Sequence, residues 1–239
     1  MAVPLASPRP RTDLRRDCPG RKWTFEPAHG WLWFVPTIHP TRAALQATMV
    51  RLLDTYPPDD VTADMLLAES GISRGSLYHH FRDFKDVTDH AQVERFTRHV
   101  DESVTAFTMM ITASRSREEF LAALNNLTDH TQGPDRAANR ANRVWLLGQA
   151  TNRSTFHELL GAEQQRLTTA LTDLIREAQS KGWVRGDLDA GALAVFIQAY
   201  TLGSVINDIT PSPINPEGWT HLIKVISVVL CEPAPDAPR

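Results

Sequence analysis

Hydrophobic residues recur every three or four positions along most of the chain from residue 41 onward, which is the period of an amphipathic α-helix. In the stretch TRAALQATMVRLLDTY, residues 41–56, this period places four large apolar side chains on one face: Leu45, Met49, Leu52 and Leu53. Two prolines follow and predict the end of the helix, because proline cannot continue its hydrogen-bond ladder. No strand-rich region interrupts the helical pattern, so the sequence predicts an all-α protein.

Capping residues help to place the elements that follow. A short second helix is expected to begin after Thr62 as its N-cap, and a third begins at Ser73. The fourth runs from near Asp83 to about Thr112. Gly182 is a plausible residue just beyond the end of a later long helix. The remaining helices are predicted at 117–130, 134–151, 154–182, 189–209 and 216–230.

Residues 1–39 differ in composition from the rest of the chain. They hold six prolines, six Lys or Arg and three Asp or Glu, and they include Trp23, Trp31 and Trp33. No helical or strand period persists there, which predicts a mostly disordered extension. Because its net charge is +3, an arm that touches DNA is the alternative interpretation. The proline-rich residues 232–239 are predicted to be a disordered tail.

The stretch ESGISRGSLYHHF, residues 69–81, predicts two helices joined by a tight glycine-containing turn. With Ser73 as N-cap, Ile72 and Leu77 occupy the two positions of a hydrophobic staple. A helix, a tight turn and a second helix form the helix-turn-helix pattern, whose second helix presents its N-terminal residues to the major groove of DNA. A helical hairpin with a solvated polar face is the plainer interpretation.

The outward residues of the third helix have the chemistry that DNA contact requires. Arg74 can bind guanine edges or a phosphate, and Gly75 leaves room where a backbone comes close to DNA. The predicted DNA-binding residues are Thr62, Ser73, Arg74, Gly75, Ser76, Tyr78, His79 and Lys85. Residues 40–90 hold five Lys or Arg and eight Asp or Glu, so non-specific affinity should be modest and salt-sensitive.

Residues 61–87, VTADMLLAESGISRGSLYHHFRDFKDV, resemble the DNA-binding signature of the TetR (tetracycline repressor) family. The resemblance is specific from Ala43 to Val87, and YPPDD departs from it where the family usually has a glycine. It implies a homodimer with a three-helix DNA-binding domain at 40–88 and a helical ligand-binding and dimerisation domain at 89–231. It also implies a repressor that a small molecule releases from a pseudo-palindromic operator.

The last two predicted helices carry more apolar residues than one buried face needs, which favours a dimer interface, although two central core helices would show the same excess. Large or polar-tipped residues on the later helices are candidates for an effector pocket, and each of them is also compatible with plain core. The candidates are Met109, Phe120, Leu124, Trp145, Gln149, Phe156, Phe196 and Tyr200.

The sequence gives little support for a metal site, an enzyme active site or a membrane span. Cys18 and Cys231 lie far apart, which suits a reducing compartment, and no Cys/His spacing typical of zinc occurs. His79 and His80 are adjacent, so they point to different faces. No phosphate loop, nucleophile elbow, cofactor motif or membrane-spanning apolar run is found, so we expect a cytoplasmic protein without catalytic residues. A helical protein–protein adaptor and a helical enzyme remain as rival hypotheses.

Overall fold

The structure is a computed structural model that describes residues 39–151 and 153–232, together with the backbone of 23–26 and 30–33. The two short segments are antiparallel strands, β1 (Trp23–Glu26) and β2 (Gly30–Trp33), with Trp23 opposite Trp33. The sequence pattern did not predict this hairpin, although tryptophan is enriched in strands. Otherwise the predicted N-terminal extension and basic arm lie outside the described residues, as does the predicted tail beyond Glu232.

Four helices make up the N-terminal half of the described chain. They are α1 (Pro40–Thr55), α2 (Ala63–Ser70), α3 (Arg74–His80) and α4 (Phe84–Ala113). Each of the last three begins at a side chain that accepts a backbone N–H: Thr62 from Met65, Ser73 from Ser76 and Asp83 from Asp86. A 3₁₀ turn, Pro58–Asp60, follows α1 at the predicted proline stop.

The first three helices and the start of α4 enclose a small core of their own. Its buried members include the four apolar residues predicted on one face of α1, together with Leu66 of α2 and Leu77 of α3. Val87 and Ala91 of α4 complete it, and Phe81, just after α3, is only 2% exposed. Burying these side chains holds α3 against α1 and turns its other face outward.

Six further helices form the larger part of the fold. They are α5 (Arg117–Gln132), α6 (Ala137–Ala150), α7 (Ser154–Ser180), α8 (Ala190–Gly203), α9 (Val205–Asp208) and α10 (Pro216–Cys231). Gly182 adopts φ +72° just beyond α7, as the sequence predicted. From residue 39 onward the described chain is helices and connecting turns, so the all-α prediction is confirmed there.

Two predicted helices differ from those observed. The helix predicted at 189–209 is divided into α8 and α9 at Ser204, whose hydroxyl donates to the Thr201 carbonyl at 3.1 Å. Gly/Ser pairs are common sites of helix breaks, and Gly203–Ser204 is such a pair. Pro134 opens a 3₁₀ turn, Pro134–Arg136, rather than α6 itself.

Helix α4 belongs to both cores. Its first turns contribute Val87 and Ala91 to the small core, whereas Phe96 and Val100 pack in the larger one with residues of α6, α7 and α8. With 30 residues at about 1.5 Å per residue, it spans roughly 45 Å. Any shift of α4 in the larger core therefore moves the small helical unit that carries α3.

Candidate nucleic-acid interface and internal cavity

The turn between α2 and α3 depends on a left-handed glycine. Gly71 has φ +66° and ψ 11°, and its N–H donates to the Leu67 carbonyl at 3.0 Å, which ends α2. A side chain at this φ would be strained, because Cβ approaches the following carbonyl oxygen. The chain then re-enters a helix after only Gly71, Ile72 and Ser73. The geometry is that of a helix-turn-helix.

Helix α3 divides sharply into an inner and an outer face. Leu77 is fully buried on the inner face, with Phe81 just beyond the helix. On the outer side Tyr78 is 45% exposed, and Arg74 and His79 are exposed as well. Ser73 and Gly75 are also exposed, and Ser76 is half-buried. All the residues predicted on α3 thus lie on or beside one accessible surface.

Arg74 forms an ion pair with the exposed carboxylate of Asp64. Its guanidinium donates to Asp64 Oδ1 at 2.6 Å, and the side chains are 59% and 83% exposed. Ion pairs as open to solvent as this one are weak, because water and salt screen them. Arg74 can therefore leave Asp64 for a phosphate or a base edge without a large penalty.

Gly75 has no structural requirement for glycine within the described part of the protein. A Cβ built on it would meet only Ser73 Oγ, at 4.0 Å, so the space beyond its backbone is open. Its φ is not positive, which distinguishes it from Gly71. The opening leaves the first turn of α3 free for close approach by another molecule.

Further exposed donors flank the helix-turn-helix. Thr62 caps α2, with its hydroxyl oxygen accepting from Met65 N–H at 3.3 Å, and Lys85 is exposed in the first turn of α4. Arg82, two residues beyond the end of α3, is exposed as well, although it is not among the predicted site residues. These two cations extend the polar surface past the C-terminal end of α3.

The two adjacent histidines separate as expected. His79 is exposed, whereas His80 is half-buried, with its ring 4.6 Å from that of His39. The His80 carbonyl accepts a hydrogen bond from Arg42, whose guanidinium lies over the Phe81 ring. Among the described residues no group of three His, Cys, Asp or Glu could hold a metal ion.

The eight candidate pocket residues lie at separate places. Phe120 and Leu124 line an apolar cavity of about 40 Å³, and Phe156 is buried in the larger core. Tyr200 is half-buried. Met109, Trp145 and Phe196 are exposed, by 63%, 39% and 39%, and Gln149 is half-buried. Their role in binding an effector stays a prediction, and a different set of residues surrounds the larger cavities.

A cavity of about 170 Å³ lies among α4, α5, α6, α7 and α8. Its apolar wall is formed by Phe107, Leu127, Leu167, Leu171 and Ile197, and its polar end by His99, Arg136, Arg140 and Arg143 among others. A second cavity of about 200 Å³ shares His99, Glu102, Asn139 and Arg143 with the first. It extends to Asp54, at the end of α1.

Burial shapes the protonation of two of these side chains. It lowers the pKa of His99 to about 4, with the nearby Arg143 and Arg136 acting in the same direction, so His99 is neutral at pH 7. Desolvation also lowers the pKa of Arg143 to about 10, so its guanidinium stays charged. A charged arginine and a neutral imidazole therefore meet where the two cavities join.

The buried arginines of α6 are functional candidates that the sequence-based prediction missed. Arg140, Arg143, Leu146 and Ala150 follow one another along α6 at intervals of three or four residues, and all four are at most 8% exposed. Arginine within an apolar stripe of a helix is unusual, because a buried charge requires a partner. This pattern is the signal in the sequence that could have indicated a polar site inside the larger core.

Helices α8 and α10 present apolar surface outward. Val195 and Phe196 of α8 are 55% and 39% exposed, and Leu222, Val225 and Val229 of α10 are 49%, 47% and 48% exposed. The spacing of the α10 residues places them on one face. Within the described residues, 190–208 is also the one segment long and apolar enough to cross a membrane, with a mean hydropathy of 1.4 and 22% of it buried.

The similarity of this chain to known proteins lies in its structure. No protein-family model matches the sequence, and no curated protein is similar to it. Among solved structures, a protein from Mesorhizobium loti described as a TetR-family transcriptional regulator is similar, with a TM-score of 0.59 and 9% identity, over 80% of this chain and 94% of that one. A regulatory protein of the TetR family from Rhodococcus RHA1 gives 0.51 and 14%, over 82% and 100%.

A third similar structure is a transcriptional regulator from Saccharomonospora viridis in complex with choline. Its TM-score is 0.57 at 21% identity, over 80% of this chain and 97% of that one. The helix-turn-helix followed by a larger helical unit is thus a fold that this chain has in common with known regulators. The fold of this chain is that of TetR-family transcriptional regulators, as the resemblance in residues 61–87 predicted.

Proposed function

We propose that the protein is a ligand-responsive, DNA-binding transcriptional regulator that acts as a homodimer in the cytoplasm. The observation that carries this proposal is the outer face of α3, where Arg74, Tyr78 and His79 are exposed around an open glycine. The proposed DNA-binding domain comprises residues 40–88, and the proposed ligand-binding and dimerisation domain comprises 89–231. Binding, rather than catalysis, is the proposed activity.

In the proposed complex α3 enters the major groove with its N-terminal turn foremost. Arg74 leaves Asp64 to bind a phosphate or a guanine edge, and Tyr78 packs against a base or donates to a phosphate. Gly75 lets the helix backbone approach the DNA. Thr62 and Lys85 contact phosphates on either side of the groove. These phosphate contacts position the protein on the DNA, and the contacts of α3 with the bases read the sequence.

The proposed dimer forms through α8 and α10. Their outward apolar residues, among them Val195, Phe196 and Val225, form an exposed surface of the kind that marks interaction sites. A two-fold axis through this surface would present two copies of α3 to half-sites about one helical turn apart. Covering the surface with a second subunit also accounts for the apolar character of residues 190–208 without a membrane.

Helix α4 supplies the proposed route from ligand to DNA. It lines both of the larger cavities, and its Arg95 and Arg98 bind Asp54 of α1 at 2.8 and 3.0 Å. An effector that displaces α4 would therefore shift α1 and α3 and change the distance between the two recognition helices. An effector releases DNA if it binds the DNA-free conformation more tightly than the DNA-bound one by a few kcal/mol. The proposed mode of action is therefore repression that the effector relieves.

The related structure that holds choline shows a cation bound to that protein. For this chain we propose a small-molecule effector of different charge, because the cavity of about 170 Å³ is lined by three arginines, Arg136, Arg140 and Arg143.

The proposal is tested by fluorescence anisotropy of the full-length protein on DNA from immediately upstream of its own coding sequence, with random DNA as competitor. We expect Arg74→Ala and Tyr78→Ala each to weaken specific binding by about 1–3 kcal/mol, or roughly 5- to 150-fold. The matched control is Arg176→Ala, since Arg176 is an exposed arginine of α7 whose ion-pair partner, Asp173, is exposed as well.

Loss of specific binding in the two α3 variants, with the control unchanged, would support the proposal. If the α3 variants bind as well as the unaltered protein, α3 is not the recognition helix. If the protein prefers no DNA sequence even after selection from a random pool, the helix-turn-helix has another role, and the protein–protein adaptor becomes the better hypothesis.

A further inference from the structure

Two buried arginines one turn apart on α6 have opposite surroundings. Arg140, 4% exposed, donates to both Asp208 carboxylate oxygens at 2.9 to 3.1 Å and to the carbonyls of Thr131 and Gly133 at 3.0 Å. Arg143, 8% exposed, forms no hydrogen bond or ion pair with any described residue. Its Nε is buried without a partner. Buried charges are almost always paired, so Arg143 is the exception that requires an explanation.

Among the described residues, no nearby group supplies the missing negative charge. Glu102 lines both cavities but forms no ion pair with Arg143, and it is exposed at the cavity mouth. His99 is neutral at pH 7, and Arg136 adds another positive charge, with only a loose contact of 3.8 Å to the exposed Asp135. The polar end of the cavity is therefore an electropositive site inside a largely apolar core.

We propose that Arg143 binds the carboxylate of a small organic acid whose apolar body lies against Phe107, Leu167 and Ile197 in the same cavity. This inference rests on the proposed function, because it identifies the chemical class of the effector. Arginine presents parallel N–H donors that match a carboxylate in a bidentate pair. Neutral His99 lines the same cavity, with its Nε2 3.3 Å from the Ser103 hydroxyl.

The dimensions and charge of the site favour a compact monocarboxylate. The cavity, about 170 Å³, is smaller than the roughly 300–1,000 Å³ of pockets for drug-sized ligands. Of the three arginines at the cavity, Arg140 pairs with Asp208 and Arg136 contacts Asp135 at 3.8 Å, which leaves Arg143 without a counter-charge. One such guanidinium balances one negative charge, whereas a phosphate monoester carries close to two at pH 7. A cationic ligand would meet Arg136 and Arg143 at the polar end and would be repelled.

The site also lies on the element that connects the two cores. His99, Glu102 and Phe107 all belong to α4, and the adjoining cavity reaches the Asp54 carboxylate that holds Arg95 and Arg98. An anion bound at Arg143 would therefore press on the part of α4 that leads to the helix-turn-helix. This placement suits an effector site better than a purely structural anion site.

Direct binding to the full-length protein, measured by calorimetry without DNA, tests the inference. The probes are benzoate and hexanoate, and the controls are benzamide and hexanamide, which keep the shape but lose the charge. We expect an acid to bind at least about tenfold more tightly than its amide, and Arg143→Met to weaken acid binding by roughly 10- to 100-fold. Arg176→Met, which removes an exposed arginine, should leave the affinity unchanged.

Thermal unfolding of the ligand-free variants shows whether Arg143→Met stays folded. Because Arg143 is unpaired, its replacement by methionine should leave the melting temperature unchanged or raise it. A marked fall would show that Arg143 has a structural partner, and that result would overturn the inference. Equal binding of acids and amides, or no acid binding at millimolar concentration, would overturn it as well.

Anisotropy on DNA separates this inference from the proposed function. If benzoate or hexanoate binds through Arg143 and also releases DNA, both stand. If an acid binds through Arg143 while the protein recognises no DNA, the anion site stands and the regulator proposal fails. If specific DNA binding is found but neither acid binds, the regulator proposal stands and the carboxylate assignment fails.

Discussion

At the scale of single residues, the two glycines of the helix-turn-helix have different tasks. Gly71 adopts the left-handed conformation that turns the chain from α2 into α3, whereas Gly75 lies in the first turn of α3 with open space beside it. The first is needed for folding, because other residues are strained at φ +66°. The described residues do not require glycine at position 75. We therefore attribute Gly75 to the close approach of DNA to the backbone of α3.

Exchanging each glycine for alanine should separate folding from DNA recognition. Gly71→Ala should lower the free energy of unfolding by about 1–2 kcal/mol, whereas Gly75→Ala should leave it unchanged or raise it by up to about 1 kcal/mol, because alanine favours helix. Gly75→Ala should nevertheless weaken DNA binding. Urea unfolding and anisotropy measure the two effects, and a Gly75→Ala protein with normal DNA affinity would contradict our placement of the backbone near DNA.

Residue by residue, local signals were the predictable ones. Thr62 and Ser73 were identified as caps because a capping hydroxyl acts on an N–H only two or three residues ahead. The buried position of Arg143 depends instead on how α4, α6 and α7 pack around it, and no local rule provides that. The same limit applies to Trp145, which was placed among pocket candidates by size and lies 39% exposed.

At the scale of elements, an ion pair between the buried Arg140 of α6 and the partly exposed Asp208 holds α9, which follows the break at Ser204, against α6. Asp208 ends α9 and accepts three contacts from Arg140, whose remaining donors are satisfied by carbonyls at the end of α5 and in the following turn. The helix predicted as continuous over 189–209 is divided at Ser204. The period of apolar residues continues through Val205 and Ile206, which explains why the pattern could not reveal the division.

Removing the carboxylate of this pair should be costly. Asp208→Asn should lower the free energy of unfolding by about 3 kcal/mol, because it leaves the buried Arg140 guanidinium without its counter-charge. The matched control is Asp173→Asn, whose pair with Arg176 has both side chains 64% exposed and should contribute little. Chemical denaturation measures both changes, and equal effects of the two substitutions would show that the Arg140–Asp208 pair does not hold α9 in place.

At the scale of the whole molecule, a single chain leaves apolar surface of α8 and α10 exposed to solvent. The sequence predicted that α8 and α10 carry more apolar residues than one buried face requires, and in the structure Val195, Leu222 and Val225 are about half exposed. A sequence pattern can show an excess of this kind, but it cannot show which surface covers it. The proposed homodimer accounts for that surface by joining it to its own copy.

Placing a charge in the proposed interface should separate the subunits. We expect the unaltered protein to have twice the mass of one chain in solution, and Val225→Asp to shift it to the mass of one chain, because an unpaired carboxylate would be buried. Ala122→Glu adds a charge at an exposed position of α5 and should leave the dimer intact. Light scattering after size exclusion measures the mass, and a Val225→Asp protein that remains dimeric would place the interface elsewhere.

The central claim is that two copies of α3 read one DNA site, and selection of bound sequences from a random DNA pool tests it most directly. The unaltered protein should enrich a pseudo-palindrome whose half-sites are centred about 10 base pairs apart, and the Arg74→Ala protein should fail to enrich it. Enrichment of no sequence, or of the same sequence by both proteins, would contradict the claim.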